Sequence, residues 1–127
     1  VLKPYIDSID ENTPIIYRPL ERVMVNSNWH RGSTILIGDA VHATTPHLGS
    51  GAGLAVEDAI VLAKLLDEYG DDLETVFEQF MQKRLARAQF VVETSGEIGR
   101  MEIEGGSMLE RSMLLAKGFE QVTSAYL

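Results

Sequence analysis

Cysteine is absent from this 127-residue chain. That excludes disulfides and thiolate chemistry and fits a cytoplasmic protein. Basic residues are few: 11 Lys and Arg stand against 19 Asp and Glu, a formal net charge of −8. Nonspecific nucleic-acid binding needs clustered positive charge, so that class is excluded. No apolar run reaches the ~18 residues of a membrane-spanning helix. The opening VLKPYIDSID has no basic region followed by an apolar one, as a secretory signal would. Internal repeats and low-complexity segments are missing too.

What remains is an ordinary globular composition, 45% hydrophobic and 24% charged, with chain for one domain at most. TPIIYRPL (13–20) and RVMVN (22–26) are short, rich in β-branched residues and interrupted by Pro14 and Pro19. They read as edge strands or a pair of extended segments. Asn28 to Gly32 is turn-like. Thr34-Ile35-Leu36-Ile37 is a continuous apolar run ending in Gly38-Asp39, the pattern of a strand buried on both faces, as in a parallel sheet. Residues 54–68 predict a helix that is apolar nearly all round, hence buried on several sides, and Gly70 is placed to stop it.

A second helix is predicted from Asp71, as cap, with Glu74 three residues on. Leu73, Val76, Phe77, Phe80, Met81 and Leu85 follow at spacings of three and four, and the helix runs to about residue 95, where Gly96 and Gly99 weaken it. Ser107 and Glu110 form another capping box. Behind it Met108, Leu115, Phe119, Val122 and Tyr126 make one apolar stripe of a terminal helix, suited to a core or an interface. The order is a few short strands followed by three helices, an α-rich α/β fragment. A buried parallel strand needs neighbours that this chain does not offer. Together with an opening at Val1 rather than Met, this predicts a portion of a larger α/β protein.

The stretch GDAVHATTPHLGSGAGLAVEDA (38–59) stands apart. Gly49, Gly51 and Gly53 bracket a helix start, where backbone can approach a ligand closely and first-turn N–H groups have no internal partner. That end suits an anion or an electron-rich carbonyl edge. Asp39, at the end of the predicted strand, lies where α/β sheets bind ligands, and its carboxylate suits hydroxyl donors better than phosphate. Sharper motifs fail. The third position of G-x-G-x-x-G is Leu54, no Gly-Lys-Ser/Thr triplet exists, and Ser50 is flanked by Leu48 and Ala52 where a serine-hydrolase elbow needs glycines. Asp39, His42 and His47 match no recognised metal-ligand spacing. No general base stands out, so the catalytic residues are unassigned.

These residues resemble the second FAD-binding motif of the flavin-dependent aromatic hydroxylases, the p-hydroxybenzoate and salicylate hydroxylase group of FAD monooxygenases. The matching positions are Gly38-Asp39-Ala40-Val41-His42, Pro46, Gly49-Ser50-Gly51 and Glu57-Asp58-Ala59. Upstream, Tyr17-Arg18-Pro19-Leu20 and Trp29-His30-Arg31-Gly32 resemble the lead-in segment. Downstream, Arg84-Leu85-Ala86-Arg87 resembles the Arg-x-x-Arg of the following helix. The resemblance spans about residues 15–95. Val41 replaces a common Ala, and Gly53 stands where many members have Asn.

The resemblance implies part of a Rossmann-like FAD-binding fold. Residues 1–33 are then the tail end of the substrate-domain sheet and a return segment, and 34–127 the C-terminal part of the FAD-binding domain with its terminal helices. It implies FAD contacts at Gly38, Asp39 (ribityl chain), Pro46, Gly49, Ser50, Gly51, Ala52 and Gly53. The parent would be a monooxygenase using NAD(P)H and O2 on an aromatic or related small molecule. The family's N-terminal ADP-binding unit and middle sheet are missing here, so the chain alone is expected to be inactive and to hold FAD weakly. The alternatives are a related flavin reductase or dehydrogenase, and a truncated helical module that only self-associates. Exposed apolar surface on such a portion also favours a homo-oligomer. His42 reads as structural, His47 as either near the ring or solvated, and Trp29 and His30 as packing and surface residues. Arg84 and Arg87 read as pairing with acids or carbonyls, and the helix dipole alone accounts for Glu57 and Asp58.

Overall fold

The computed structural model describes residues 2–124. The fold is mostly helical. Helix α1 (Lys3–Ile6) precedes a long extended segment. A hairpin follows, with β1 (His30–Arg31) and β2 (Thr34–Ile35) paired antiparallel, His30 opposite Ile35 and Arg31 opposite Thr34. Then come α2 (Asp39–His42), a 3-10 turn (Pro46–Leu48), α3 (Gly51–Tyr69), α4 (Leu73–Glu104) and α5 (Met108–Thr123). No helix among the described residues is long and apolar enough to cross a membrane.

The three predicted long helices form, with altered ends. α3 ends at Gly70, whose N–H bonds the Leu66 carbonyl. The cap of α4 is Asp72 rather than Asp71; its carboxylate accepts from the Thr75 N–H at 3.3 Å. The expected stop near residue 95 does not occur, and α4 continues through Gly96 and Gly99 to Glu104. Tertiary packing overrides the weak propensity of glycine there: both glycines receive side chains from the 20–50 region, Arg22 over Gly96 and His47 over Gly99. Ser107 caps α5, accepting from the Glu110 N–H.

The strand expectations fare worse. Residues 13–20 and 22–26 form no strand; 22–26 is extended and ties to α2 and its exit through Val23 N–H to the Ala43 carbonyl and Val25 N–H to the Val41 carbonyl, both 2.9 Å. Pro14 and Pro19 lack N–H donors, and among the described residues no strand pairs with these segments. The run 34–37 is strand only at Thr34–Ile35, and Leu36 is 45% exposed rather than buried on both faces. A doubly buried strand requires covering layers on both sides, which the described residues do not supply.

α3 also buries one face only, through Leu54, Asp58, Val61 and Leu65, while Val56 is 59% exposed. The predicted stripe of α5 is split. Leu115 and Val122 pack against the core, whereas Met108 and Phe119 are exposed; Tyr126 lies outside the described residues. The packed face of α5 is centred on Gly118, which receives Leu48 and Thr94. The core lies between α3 and α4, with Leu54, Val61 and Leu65 against Val76, Phe77, Phe80, Ala88 and Val91. Trp29 closes one end, its Nε1–H donating to the Val25 carbonyl at 2.7 Å.

Candidate functional site

A cleft of about 510 Å³ is lined by Asp39, Thr44, Thr45, Pro46, Gly49, Ser50, Gly51, Ala52 and Ala55. Six of the eight sequence-predicted cofactor residues meet here: Asp39, Pro46, Gly49, Ser50, Gly51 and Ala52. Gly38 and Gly53 do not line it. Gly38 is buried and its N–H is donated to Asp58 Oδ2 at 2.9 Å. Gly53 lies on a smaller adjoining cavity with Leu54, Glu57 and Arg87.

Local chemistry makes the cleft receptive to an electron-rich group. No side chain caps α3. Its first backbone bond runs from the Leu54 N–H to the Ser50 carbonyl, so the N–H groups of residues 51–53 have no acceptor within the helix and none among the described residues. The Ser50 hydroxyl, the obvious capping group, turns instead to the Leu48 carbonyl at 2.8 Å. Asp39, exposed at the start of α2, has no hydrogen-bond partner among the described residues. Free donors and a free acceptor thus flank one cleft. Gly49 holds φ +61°, a conformation that a side chain would strain and that lets the chain turn from Leu48 into α3.

A buried ion network fixes the turn that carries Asp39. Asp58, fully buried on α3, accepts from His42 Nε2 at 2.6 Å, Arg84 Nε at 2.7 Å and the Gly38 N–H. Gly38 needs its φ of +59°, and its Cα faces Ala55 so closely that a Cβ would lie 3.2 Å from the Ala55 Cβ. Arg84, also fully buried, reaches the Leu54 carbonyl and Glu57 Oε2. Arg87 bridges Glu57 to the end of α5, donating to the carbonyls of Gln121 and Val122.

Burial raises the Asp58 carboxyl, but hydrogen bonds from His42, Gly38 and Arg84 outweigh it and hold the group below the usual carboxylate range. For Glu57, burial likewise raises the carboxyl, and bonds from Arg87 and Arg84 outweigh it, so the net direction is down. His42 is structural, as expected, and the Arg84 and Arg87 pairings match the sequence reading. The helix dipole alone does not account for Glu57 and Asp58: both are partners of α4.

Sequence reasoning missed Ser95. It is fully buried on α4 and holds the 3-10 turn through Thr45 and Leu48. A serine among Thr94, Gly96 and Gly99 was the available signal, because small residues at that spacing on one helix admit close approach of another segment. No group of three or more His, Cys, Asp or Glu that could hold a metal occurs among the described residues.

Among known proteins, YetM of Bacillus subtilis (strain 168), named a candidate FAD-dependent monooxygenase, is 44% identical over 92 residues, 72% of this chain and 25% of that protein. The 2-heptyl-3-hydroxy-4(1H)-quinolone synthase of Pseudomonas aeruginosa (strain UCBPP-PA14) is 41% identical over 93 residues, 73% and 24%. The 3-hydroxybenzoate 6-hydroxylase 2 of Aquipseudomonas alcaligenes is 34% identical over 87 residues, 68% and 27%. The chain therefore spans about a quarter of the length of the curated relatives it matches. No solved structure matches it. Residues 17–95, more than half of the chain and the whole of the cleft with its buried ion network, match the family described as FAD binding domain, and the chain belongs to that family.

Proposed function

We propose that this chain is the C-terminal FAD-binding part of a flavin-dependent monooxygenase that hydroxylates an aromatic or related small molecule with NAD(P)H and O2. The observation that carries the reading is the pairing, across one cleft, of an unpartnered exposed carboxylate, Asp39, with the uncapped N-terminus of α3. This donor and acceptor set fits FAD. The ribityl hydroxyls are donors suited to Asp39, and the pyrimidine edge of the ring carries acceptors suited to the N–H groups of residues 51–53. Pro46, Gly49, Ser50, Gly51 and Ala52 form the wall along which the ring would lie, and Gly38 acts by orienting Asp39.

Bound FAD supplies electron transfer from NAD(P)H and the activation of O2. The chain's own part is to bind and orient. Its helix N-terminus stabilises negative charge at the ring edge, and its buried network keeps the turn rigid. The relatives' names, a quinolone synthase and a hydroxybenzoate hydroxylase, support an aromatic substrate. In this reading residues 1–33 are the end of a substrate-domain sheet with its return segment, and 34–127 complete a Rossmann-like domain that works in the cytoplasm. Exposed Ile15, Ile16 and Tyr17, and Met108, Leu109 and Met113, are then surfaces for the remainder of the protein or for a second copy.

The test uses the longer protein that carries this chain. It is expected to purify with flavin, and to couple NAD(P)H oxidation to incorporation of one oxygen atom from labelled O2 into an aromatic substrate. Flavin reduction without oxygen incorporation into any aromatic tested would instead favour a reductase or dehydrogenase. The 127-residue chain alone is expected to lose added FAD on desalting; stoichiometric retention would show its half-site to be sufficient.

A further inference from the structure

Ser95 sits in the C-terminal third of α4, fully buried, and its Oγ meets three atoms of the segment that leads into the cleft. It lies 2.6 Å from the Thr45 carbonyl oxygen, 2.9 Å from Thr45 Oγ1 and 3.4 Å from the Leu48 backbone nitrogen. Thr45 Oγ1 in turn lies 3.0 Å from His47 Nδ1. The protons available settle the direction of this chain. The carbonyl can only accept, so the Ser95 hydroxyl donates its one proton there. The Thr45 hydroxyl must then donate to Ser95 Oγ. Its proton is thereby used, and His47 Nδ1 must donate to Thr45 Oγ1. This is the one arrangement that puts a proton in all three contacts. The Leu48 N–H completes the set, giving Ser95 Oγ one donated and two accepted bonds.

From this geometry we infer that Ser95 is a positioning residue for the cofactor cleft. Through a one-way hydrogen-bond chain it fixes Thr45, the Pro46–Leu48 turn and the Nδ1–H form of His47. The inference rests on the flavin reading of the cleft. Thr45 and Pro46 line the cleft on one side of the turn, and Thr45 and His47 line a second cavity of about 550 Å³ on the other. The turn is therefore a partition, and Ser95 is its attachment to the helix behind it. The turn is also held by Leu48 seated at Gly118, by the His47 ring seated at Gly99 and by His47 Nε2, which lies 3.5 Å from Glu102 Oε2 on α4. These contacts restrain the turn's distance from α4 and α5, whereas the Ser95 hydroxyl, at 2.6 Å the shorter of two donors to the Thr45 carbonyl (the Thr44 hydroxyl is the other, at 3.3 Å), fixes the orientation of the Thr45 peptide from the helix side.

Two measurements test the inference. In the 127-residue chain, nitrogen-15 NMR, taken at a pH where the spectrum itself shows the ring neutral, is expected to show His47 protonated at Nδ1. Ser95→Ala and Thr45→Val are each expected to shift it toward the Nε2–H form that free histidine prefers, and Thr45→Ser to restore Nδ1–H. In the longer protein, Ser95→Ala and Thr45→Val are expected to raise the FAD dissociation constant about tenfold, with Thr45→Ser recovering most of the loss. Should Ser95→Ala fail to fold, the Thr45 pair carries the comparison. An unchanged His47 tautomer in the folded variants overturns the hydrogen-bond chain. A shifted tautomer with unchanged FAD affinity overturns the positioning role. A wild-type longer protein that does not bind FAD overturns the flavin reading of the cleft, and the positioning role with it, while the tautomer series still decides the hydrogen-bond chain.

Discussion

Asp58 gathers three hydrogen bonds at one fully buried carboxylate. It is buried against Arg84, and replacing it with Asn removes one of the two carboxylates that balance the buried guanidinium, leaving only Glu57. Breaking a buried pair from one side costs about 3–5 kcal/mol when the remaining charge is uncompensated, and Glu57 still pairs with Arg84, so Asp58→Asn is expected to lower the unfolding free energy by up to that amount in urea titrations. The acid dependence has a definite sign. The folded-state carboxyls of Asp58 and Glu57 are held below their usual values. Their contribution is therefore complete above the ordinary carboxylate range and is lost as pH falls through the lower, folded values. The urea midpoint should drop on acidification below about pH 4, with a shallower drop in Asp58→Asn. Asp39 is the counter-example. It is exposed and unpartnered, so Asp39→Ala should change stability by no more than about 0.5 kcal/mol, yet weaken FAD binding by the longer protein about tenfold. Equal loss of stability and affinity would make Asp39 a structural residue.

At the scale of elements, α4 and α5 pack behind the 3-10 turn that lines the cleft, and their small residues set how close they stand to it. A Cβ on Gly118 would lie 2.6 Å from Leu48 Cδ2, which is itself buried and cannot swing away. Gly118→Ala should therefore destabilise by about 1–3 kcal/mol, as overpacking does, visible as a lower melting temperature. Gly53 meets nothing within 4 Å. In the chain alone Gly53→Ala should be neutral or stabilising by up to about 1 kcal/mol. This contrast explains why α4 exceeded its predicted length. Read locally, Gly96 and Gly99 are helix weakeners; in the fold they are contact surfaces for Arg22 and His47. Capping was legible to within one residue, because Asp71 and Asp72 present the same chemistry at adjacent positions and only the backbone path chooses between them.

At the scale of the whole molecule, the described chain has a well-formed core between α3 and α4 and a poorly covered remainder. Leu36, Val56 and the 13–20 segment are apolar and exposed, as expected of elements whose covering layers are not among the described residues. The apolar run at 34–37 and the nearly all-round apolar α3 predict burial on several sides from their composition, and the described residues cover one: hydrophobic pattern alone does not say which layers a given length of chain supplies. By itself the sequence determined the three long helices, through periodicity and caps that act within a few residues, and the cofactor motif, through its fixed spacing of Gly, Asp, His and Pro. It also pointed to the pairing of Arg84 and Arg87 with acids. Tertiary structure alone decided which acids they meet, that Gly38 serves Asp58 while Asp39 is left free, and that Ser95 anchors the turn from fifty residues away. Such choices depend on which buried polar groups come within hydrogen-bond reach once the helices pack, and a one-dimensional pattern does not encode that distance.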